Sequence, residues 1–331
     1  MTLLLGIRRS GKSSLVKVLM KEEKGIWIYI DLRKFESSSF IHYRDLIQEM
    51  ERAINLSLPE RLKKLFSGIK GVSIAGVNVS FKWGGKDKVE FSQILDKLSE
   101  ISEKEGERVI LVFDESQELR KLKGYNLLYP IAYAYDNLKV RFVFTGSEIG
   151  MVYDFLELEN PKSPLFGRAY TEVKVNPFDK QTALEFLRRG FEEFNIRVEE
   201  SELEEAVNTL GGIPGWLTYY GFNYIQERDH KKALDKTVET AISLILEEFN
   251  NFLKGRGEAR ERYRIIMTTC ARGCRWSEAK NAIEAKEGVR IDDKRFTELL
   301  NNLVKASFLV KEGEIYKPAD VMIGKAFSVK F

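Results

Sequence analysis

The sequence predicts an α/β fold: a mostly parallel sheet with helices on both faces, then a helical segment, then a small domain of helices and one hairpin. Three observations predict it. A glycine-rich stretch, "GIRRSGKSS", stands between an apolar triplet and an amphipathic helix at the start of the chain. From there to about residue 175, apolar runs of strand length alternate with helical patterns, the signature of strand–helix–strand units. After "NPF" at 176–178 the strand patterns stop and helix signals take over.

The opening strand is short: Leu3, Leu4 and Leu5 supply just enough apolar chain to aim the loop that follows. Gly6-Ile7-Arg8-Arg9-Ser10-Gly11-Lys12-Ser13 satisfies G-x-x-x-x-G-K-[ST] at every required position, the pattern of a phosphate-binding loop. Gly6 and Gly11 are expected to supply positive φ and close approach to phosphate. Successive N–H groups then cradle the oxygens, which makes Gly6, Arg8, Arg9, Ser10, Gly11, Lys12, Ser13 and Ser14 the phosphate-binding set. Lys12 brings an ammonium to the β- and γ-phosphates and Ser13 offers a hydroxyl to Mg²⁺. The helix after the loop carries Leu15, Val18 and Leu19 on one face and turns its positive N-terminus to the anion. The motif does not require the side chains of Arg8 and Arg9, which are expected to face solvent or a partner rather than the reaction.

A loop that hydrolyses also needs a metal carboxylate and a group to orient water. "RVILVFDESQ" at 108–117 offers both. Val109 to Phe113 is a nearly continuous apolar run, as in a strand buried on both faces, and it ends in Asp114-Glu115. Ligands of open α/β sheets bind at the carboxyl ends of strands, so Asp114 is placed for Mg²⁺ and Glu115 for accepting a proton from the attacking water. An acidic turn after a core strand is the plainer reading, and the phosphate loop outweighs it. The next buried run, "RFVFTGSE" at 141–148, ends in Thr145 and Ser147. A hydroxyl there can bond the γ-phosphate or the water; an ordinary strand-to-loop turn remains an equal alternative.

The other elements follow in order. "GIWIYIDL" at 25–32 is a second strand, and "FIHYRDLIQEMERAI" a helix. An insertion at about 68–90 alternates Val72, Ile74, Val77, Val79, Phe81 and Trp83 around Gly76, which reads as a β-hairpin with Lys82, Lys86 and Lys88 near its end. Packing or partner binding suits it better than nucleic-acid contact. "FSQILDKLSEISEK" leads into the Asp114 strand, and "GYNLLYPIAYAYDNL", kinked or broken at Pro130, into the Thr145 strand. "TEVKV" at 171–175 completes five strands. Asp179 then caps a helix bearing Ala183, Leu184, Phe186, Leu187 and Phe191. "SELE" at 201–204 reads as a capping box for the next helix, which ends at Gly211-Gly212, and Pro214 sits in the first turn of another. A long helix to Leu253 precedes a break, "GRGE", at 255–258. The expected domains are 1–176, 177–257 and 258–331. In the last, three helices and a hairpin turning at Glu312-Gly313 make a winged-helix pattern. Its presumed recognition helix sets Asp292, Asp293 and Glu298 against Lys294, Arg295 and Lys305, so both DNA contact and protein packing stay open.

Composition narrows the class. At 331 residues, two or three domains are expected, and 44% hydrophobic with 31% charged residues gives ample core. No apolar run approaches the ~20 residues that span a bilayer, and the start of the chain is too short in apolar residues for a leader, so a cytoplasmic protein without membrane contact is expected. A net charge of +3 does not by itself argue for nucleic acid. Cys270 and Cys274 lie in "CARGC", far from His42 and His230, and are expected to be reduced thiols rather than metal ligands.

Taken together, "LLLGIRRSGKSSL", "DLRKFE", "VILVFDESQEL", "YNLLYPIAYAYDNLKVRFVFTGSEIG", "SPLFGRAY" and "GGIPGWLTYYG" resemble the archaeal P-loop ATPases of the AAA+-like class grouped with the STAND signal-transduction ATPases. The resemblance covers nearly the whole chain. It implies sheet order 5-1-4-3-2, with the Thr145 strand between the phosphate-loop and Asp114 strands, and it implies ATP with Mg²⁺. It also implies that Arg168 of "LFGRAY" acts as an arginine finger or sensor, on an ATP of a neighbouring subunit or partner, and that Pro214 of "GGIPGW" packs near adenine. Relatives of this kind carry a helix and adenine-enclosing residues before the first strand; here the sequence begins at the strand, so either a preceding segment is missing from it or the protein lacks that wall, and base selectivity stays open. The function implied is an ATP-hydrolysing switch whose lid and winged helix respond to nucleotide. The alternatives are a DNA-associated ATPase resembling origin-recognition and helicase-loading proteins, or a nucleotide-dependent scaffold that does not hydrolyse.

Overall fold

The structure is a computed structural model describing residues 1–82 and 88–329. Trp83 and Lys86, assigned to the hairpin region from the sequence, lie outside the described residues. The chain separates into two compact bodies, one of Met1–Leu5, Lys12–Ser147 and Met151–Lys174, the other of Gly6–Gly11, Glu148–Gly150 and Val175–Phe331.

In chain order the first body holds β1 (Thr2–Leu5), α1 (Lys12–Glu22), β2 (Ile26–Asp31), β3 (Ile41–His42), α2 (Tyr43–Ser57), α3 (Glu60–Lys63), β4 (Val72–Ala75), β5 (Asn78–Phe81), α4 (Phe91–Glu105), β6 (Val109–Asp114), β7 (Leu122–Lys123), α5 (Leu128–Asn137), β8 (Val140–Gly146), most of α6 (Ile149–Leu156) and β9 (Thr171–Lys174). Five strands form one parallel sheet in the order β2-β6-β8-β1-β9. Counting these five along the chain, that is 5-1-4-3-2, with the Thr145 strand between the strands of the phosphate loop and Asp114. All six residues of β6 are buried, which is why its sequence is a continuous apolar run rather than an alternation. Phe113 and Phe144 stack across β6 and β8 with ring centroids 5.4 Å apart.

Local chemistry explains the departures from regularity. Pro130 falls in the first turn of α5, where its missing N–H removes no helical bond, so the helix starts beside the proline and does not break at it. In α1 the buried apolar residue is Val16, while Leu15, Val18 and Leu19 are 36–46% exposed, so the apolar face of this helix points outward. The β4–β5 hairpin turns at Gly76 and packs on α2. Both polar groups of the Asn55 side chain bond the backbone of Val79, at 2.8 and 2.9 Å, and Glu51 accepts from the Phe81 N–H at 2.6 Å.

The second body continues with α7 (Lys180–Glu193), α8 (Glu200–Leu210), α9 (Pro214–Glu227), α10 (His230–Leu253), α11 (Ala259–Thr269), β10 (Cys274–Arg275), α12 (Trp276–Glu287), α13 (Asp293–Lys305), β11 (Leu309–Glu312), β12 (Ile315–Pro318) and α14 (Val321–Val329). Asp179 caps α7 by accepting the Thr182 N–H at 2.7 Å. The capping box expected at Ser201 is not present. The helix starts at Glu200, N-capped by Glu199 without a side-chain bond, and Glu200 instead pairs with Arg188 of α7. At Gly212 two backbones meet: Phe178 N–H donates to the Gly212 carbonyl at 2.7 Å, and a Cβ on Gly212 would lie 1.8 Å from the Phe178 oxygen.

Three helices, α11 to α13, and a β10-β12-β11 sheet form the winged helix. The sequence reading missed α14, which buries Met322, Ala326 and Phe327. It also took Cys270 and Cys274 as reduced thiols, whereas the structure joins them in a disulfide. The turn after α11, with Gly273 at φ +98°, brings their Cα atoms to 4.6 Å, within disulfide reach. Among the described residues no helix is long and apolar enough to cross a membrane.

Candidate nucleotide site

The first body assembles a carboxylate centre at the C-terminal edge of its sheet. Asp114 ends β6 and is fully buried. Ser13, in the first turn of α1, donates its hydroxyl to Asp114 Oδ2 at 2.8 Å. Tyr29, near the end of β2, donates to the same oxygen, and Thr145, near the end of β8, donates to Oδ1. Three hydroxyls from three elements therefore fix one carboxylate. Thr145 also accepts the Glu115 N–H at 3.2 Å, so both its bonding directions serve the two acidic residues. Lys12 is buried at the start of α1.

Tyr29 was not legible in the sequence. It sits in an apolar strand 85 residues before Asp114, and only the sheet order makes β2 and β6 neighbours. Burial first, then its bond to Asp114, pushes its phenol above the ordinary value, which keeps it a donor. Asp31 pairs in register with Asp114, and its hydrogen bond to Arg33 holds its own carboxyl below the usual range. The "DLRKFE" segment thus supplies a second, neutralised acid beside the first.

Glu115 adopts φ +56°, a left-handed conformation that is costly for a residue with a side chain. Its Oε2 accepts from the Ser147 N–H at 3.0 Å, the Ser147 hydroxyl at 2.6 Å and the Gln117 amide at 2.7 Å. Gln117, two residues beyond Glu115 in "DESQ", also escaped the sequence reading. Its Oε1 is buried without a partner among the described residues and lies against Gly146, where an added Cβ would stand 2.9 Å away.

The turn of the phosphate loop belongs to the second body. Positive φ falls on Arg9 (+63°) and Gly11 (+92°), and not on Gly6 as expected. Gly6 is needed for a different reason: a Cβ there would stand 2.4 Å from the Val175 carbonyl oxygen. The Arg8 and Arg9 side chains, expected to face solvent or a partner, are about a quarter exposed and also engage carboxylates of the second body. Arg8 pairs with Glu148 at 2.7 Å and with Glu248 at 3.6 Å, and Arg9 with Glu248 at 2.5 Å. Pro214, at the start of α9, comes within 4.0 Å of a Cβ built on Gly11. Ser10 is buried, and its hydroxyl has no partner among the described residues. A buried hydroxyl left open in this turn fits an anion. The hard oxygens of Ser13 and Asp114 fit Mg²⁺ in the same way.

Arg168 lies in the first body. It donates to both oxygens of Asp136, at 3.0 Å through Nε, and to the Pro164 carbonyl.

A phosphate loop opening a helix, with a buried carboxylate at the end of the strand two places away in a 5-1-4-3-2 sheet, defines a P-loop ATPase of the AAA+-like class. Residues 1–220 match the model of an ATPase domain found predominantly in Archaea, and the chain belongs to that family. Residues 257–319 match the winged helix-turn-helix domain found at the C-terminus of MCM proteins. The chain is 28% identical over 251 residues to an ATP-binding protein of Methanocaldococcus jannaschii, covering 71% of this chain and 67% of that one. Among solved structures it resembles a Walker-type ATPase of Pyrococcus abyssi at 37% identity and TM-score 0.83, over 99% of this chain and 91% of the other. The ORC2 protein of Aeropyrum pernix, solved with ADPNP and ADP, aligns at TM-score 0.56 over 98% of this chain and 87% of that one; at 10% identity this likeness concerns the fold alone. The protein is thus an ATP-binding member of an archaeal ATPase family with a C-terminal winged helix.

Proposed function

We propose that the protein hydrolyses ATP with Mg²⁺ and that its helical and winged-helix segments respond to the nucleotide state. One observation carries this reading: the buried Asp114 carboxylate held by Ser13, Tyr29 and Thr145. Ser13 and Asp114 would hold the metal, which when bound supplies charge for the phosphate oxygens. Lys12 and the N–H groups of Gly6 to Ser14 bind phosphate. Thr145 acts on Asp114 as a positioning residue. Glu115 accepts a proton from water once Ser147 and Gln117 release its carboxylate. Pro214 serves the adenine side, and Arg168 serves an ATP held by a second copy of the chain, after leaving Asp136.

Turnover and binding measured separately test the assignment. Glu115→Gln retains ATP and loses turnover by roughly 100-fold or more, the usual scale of general-base catalysis. Lys12→Ala loses binding itself. Unchanged turnover in Glu115→Gln refutes the catalytic role, and wild-type protein that retains ATP without turnover is a scaffold and no hydrolase. If Arg168 acts in trans, Arg168→Ala lowers turnover at high protein concentration and not at high dilution.

A second reading, DNA association, is favoured by the winged helix. Arg272, Arg275, Arg290 and Lys294 are exposed and form no salt bridge among the described residues, and Arg295 is exposed beside Glu287. Binding to duplex DNA should then weaken steeply with salt and lose slope when these cations are replaced. No binding at low salt removes this reading.

A further inference from the structure

The phosphate loop contains an arginine in a conformation that favours glycine. Arg9, at φ +63°, is strained for a side-chain-bearing residue, and such strain persists only where the surroundings hold it. Its surroundings do so from three directions. The Arg9 carbonyl accepts the Gly215 N–H at 3.0 Å. Its guanidinium lies 4.3 Å from the centroid of the Trp216 ring and bonds Glu248 of α10. The approach is close enough to dictate sequence: a Cβ on Gly215 would lie 2.6 Å from that of Arg9.

The chain of contacts runs on. Trp216 is buried, and its Nε1–H donates to Asp320 Oδ2 at 2.7 Å. Asp320 Oδ1 accepts the Met322 N–H at the start of α14. Arg8 shares Glu248 and adds Glu148, so two loop arginines converge on one carboxylate. A planar guanidinium can stack on an indole and bond a carboxylate at once, which a lysine cannot reproduce. Every group named here lies in the second body.

We propose that Arg9 is a positioning residue that ties the turn of the phosphate loop to Trp216 and Glu248, so that phosphate filling the loop is felt at Asp320 and the winged helix. The proposal rests on the nucleotide reading above and names its relay. Phosphate contacts the N–H groups of the same turn whose carbonyl and side chain are engaged on the other side. Ordering the turn therefore orders its anchors.

The test uses the full chain labelled with 5-fluorotryptophan. The sequence has four tryptophans, and Trp216→Phe assigns the relevant ¹⁹F resonance. ADP and ATP shift this resonance in the wild-type protein. In Arg9→Gly, read at nucleotide concentrations that calorimetry shows to saturate the variant, the shift is lost. Arg9→Lys, which keeps the charge and loses the planar stack, also loses it. Glu248→Gln leaves the loop sequence intact and reduces the shift by at least half, and it decides the matter if Arg9→Gly does not fold. Bound nucleotide with no Trp216 shift in wild type, or a full shift in Arg9→Gly and Glu248→Gln, overturns the relay while leaving the functional reading standing. No calorimetric binding of nucleotide to wild type overturns both.

Discussion

Gly212→Ala offers a stringent check on how the Gly-Gly-Ile-Pro-Gly-Trp segment is built. A methyl at this position would lie 1.8 Å from the Phe178 carbonyl oxygen, and real Cβ contacts do not go under 3.0 Å. The two backbones must therefore part by at least 1.2 Å, the difference between those distances. That movement stretches the Phe178 N–H bond to the Gly212 carbonyl from 2.7 Å beyond hydrogen-bonding range. Losing the bond costs about 1 kcal/mol, and forcing atoms into a packed interior costs about 1–3 kcal/mol more. A total of about 2–4 kcal/mol corresponds to a fall in melting temperature of about 4–16 °C for a body of this size. Scanning calorimetry reads the fall directly. Pro214, two residues on, is displaced with the segment, so under the proposed adenine role of Pro214 nucleotide affinity drops in the same variant. A Gly212→Ala protein melting within about 2 °C of wild type would mean that the backbones separate freely, and the reasoning from close approach would be wrong.

Two further perturbations address the carboxylate centre and the buried acid. Tyr29→Phe removes one of three hydroxyl donors to Asp114; a hydrogen bond to a charged group is worth about 1.5 kcal/mol, so half-saturation by Mg²⁺ in nucleotide binding should rise by up to ~10-fold. Titration of a fluorescent nucleotide at graded Mg²⁺ measures this, and equal losses with and without metal would show that Tyr29 acts only on the fold. Asp320 has its carboxyl pushed up by burial, against the pull of the Trp216 N–H. A raised folded-state value gives stability that is complete below the unfolded carboxyl's ~3.9 and is lost as pH rises through the folded value. Asp320→Asn lacks this loss, so its melting temperature relative to wild type should climb between pH 4 and pH 7; a constant difference contradicts the assignment.

The parallel sheet and the phosphate chemistry were legible because local pattern specifies both. A strand buried on both faces must be apolar throughout, as 109–113 is, and a loop that wraps phosphate needs its glycines, lysine and serine at fixed spacing. What stayed hidden depends on pairing across the chain. Tyr29 meets Asp114 only because β2 lies beside β6. Arg9 meets Glu248 across 239 residues, and nothing in "GIRRSGKSS" announces that its arginines are spoken for. Gly6 was assigned the right necessity and the wrong cause, since crowding and turn geometry both select glycine. The cysteines, four apart at a helix end, fit two thiols as well as one bridge until the turn between them is known.

The left-handed arginine has a consequence at the level of the gene. Every arginine codon lies a single base change from a glycine codon, so the relaxed version of this loop is always within immediate mutational reach. A protein that needed the loop only to hold phosphate would gain from that change, because glycine adopts the conformation without strain. Position 9 is therefore where two demands on one codon part company, and selecting separately for nucleotide retention and for communication with the winged helix should drive it to different residues.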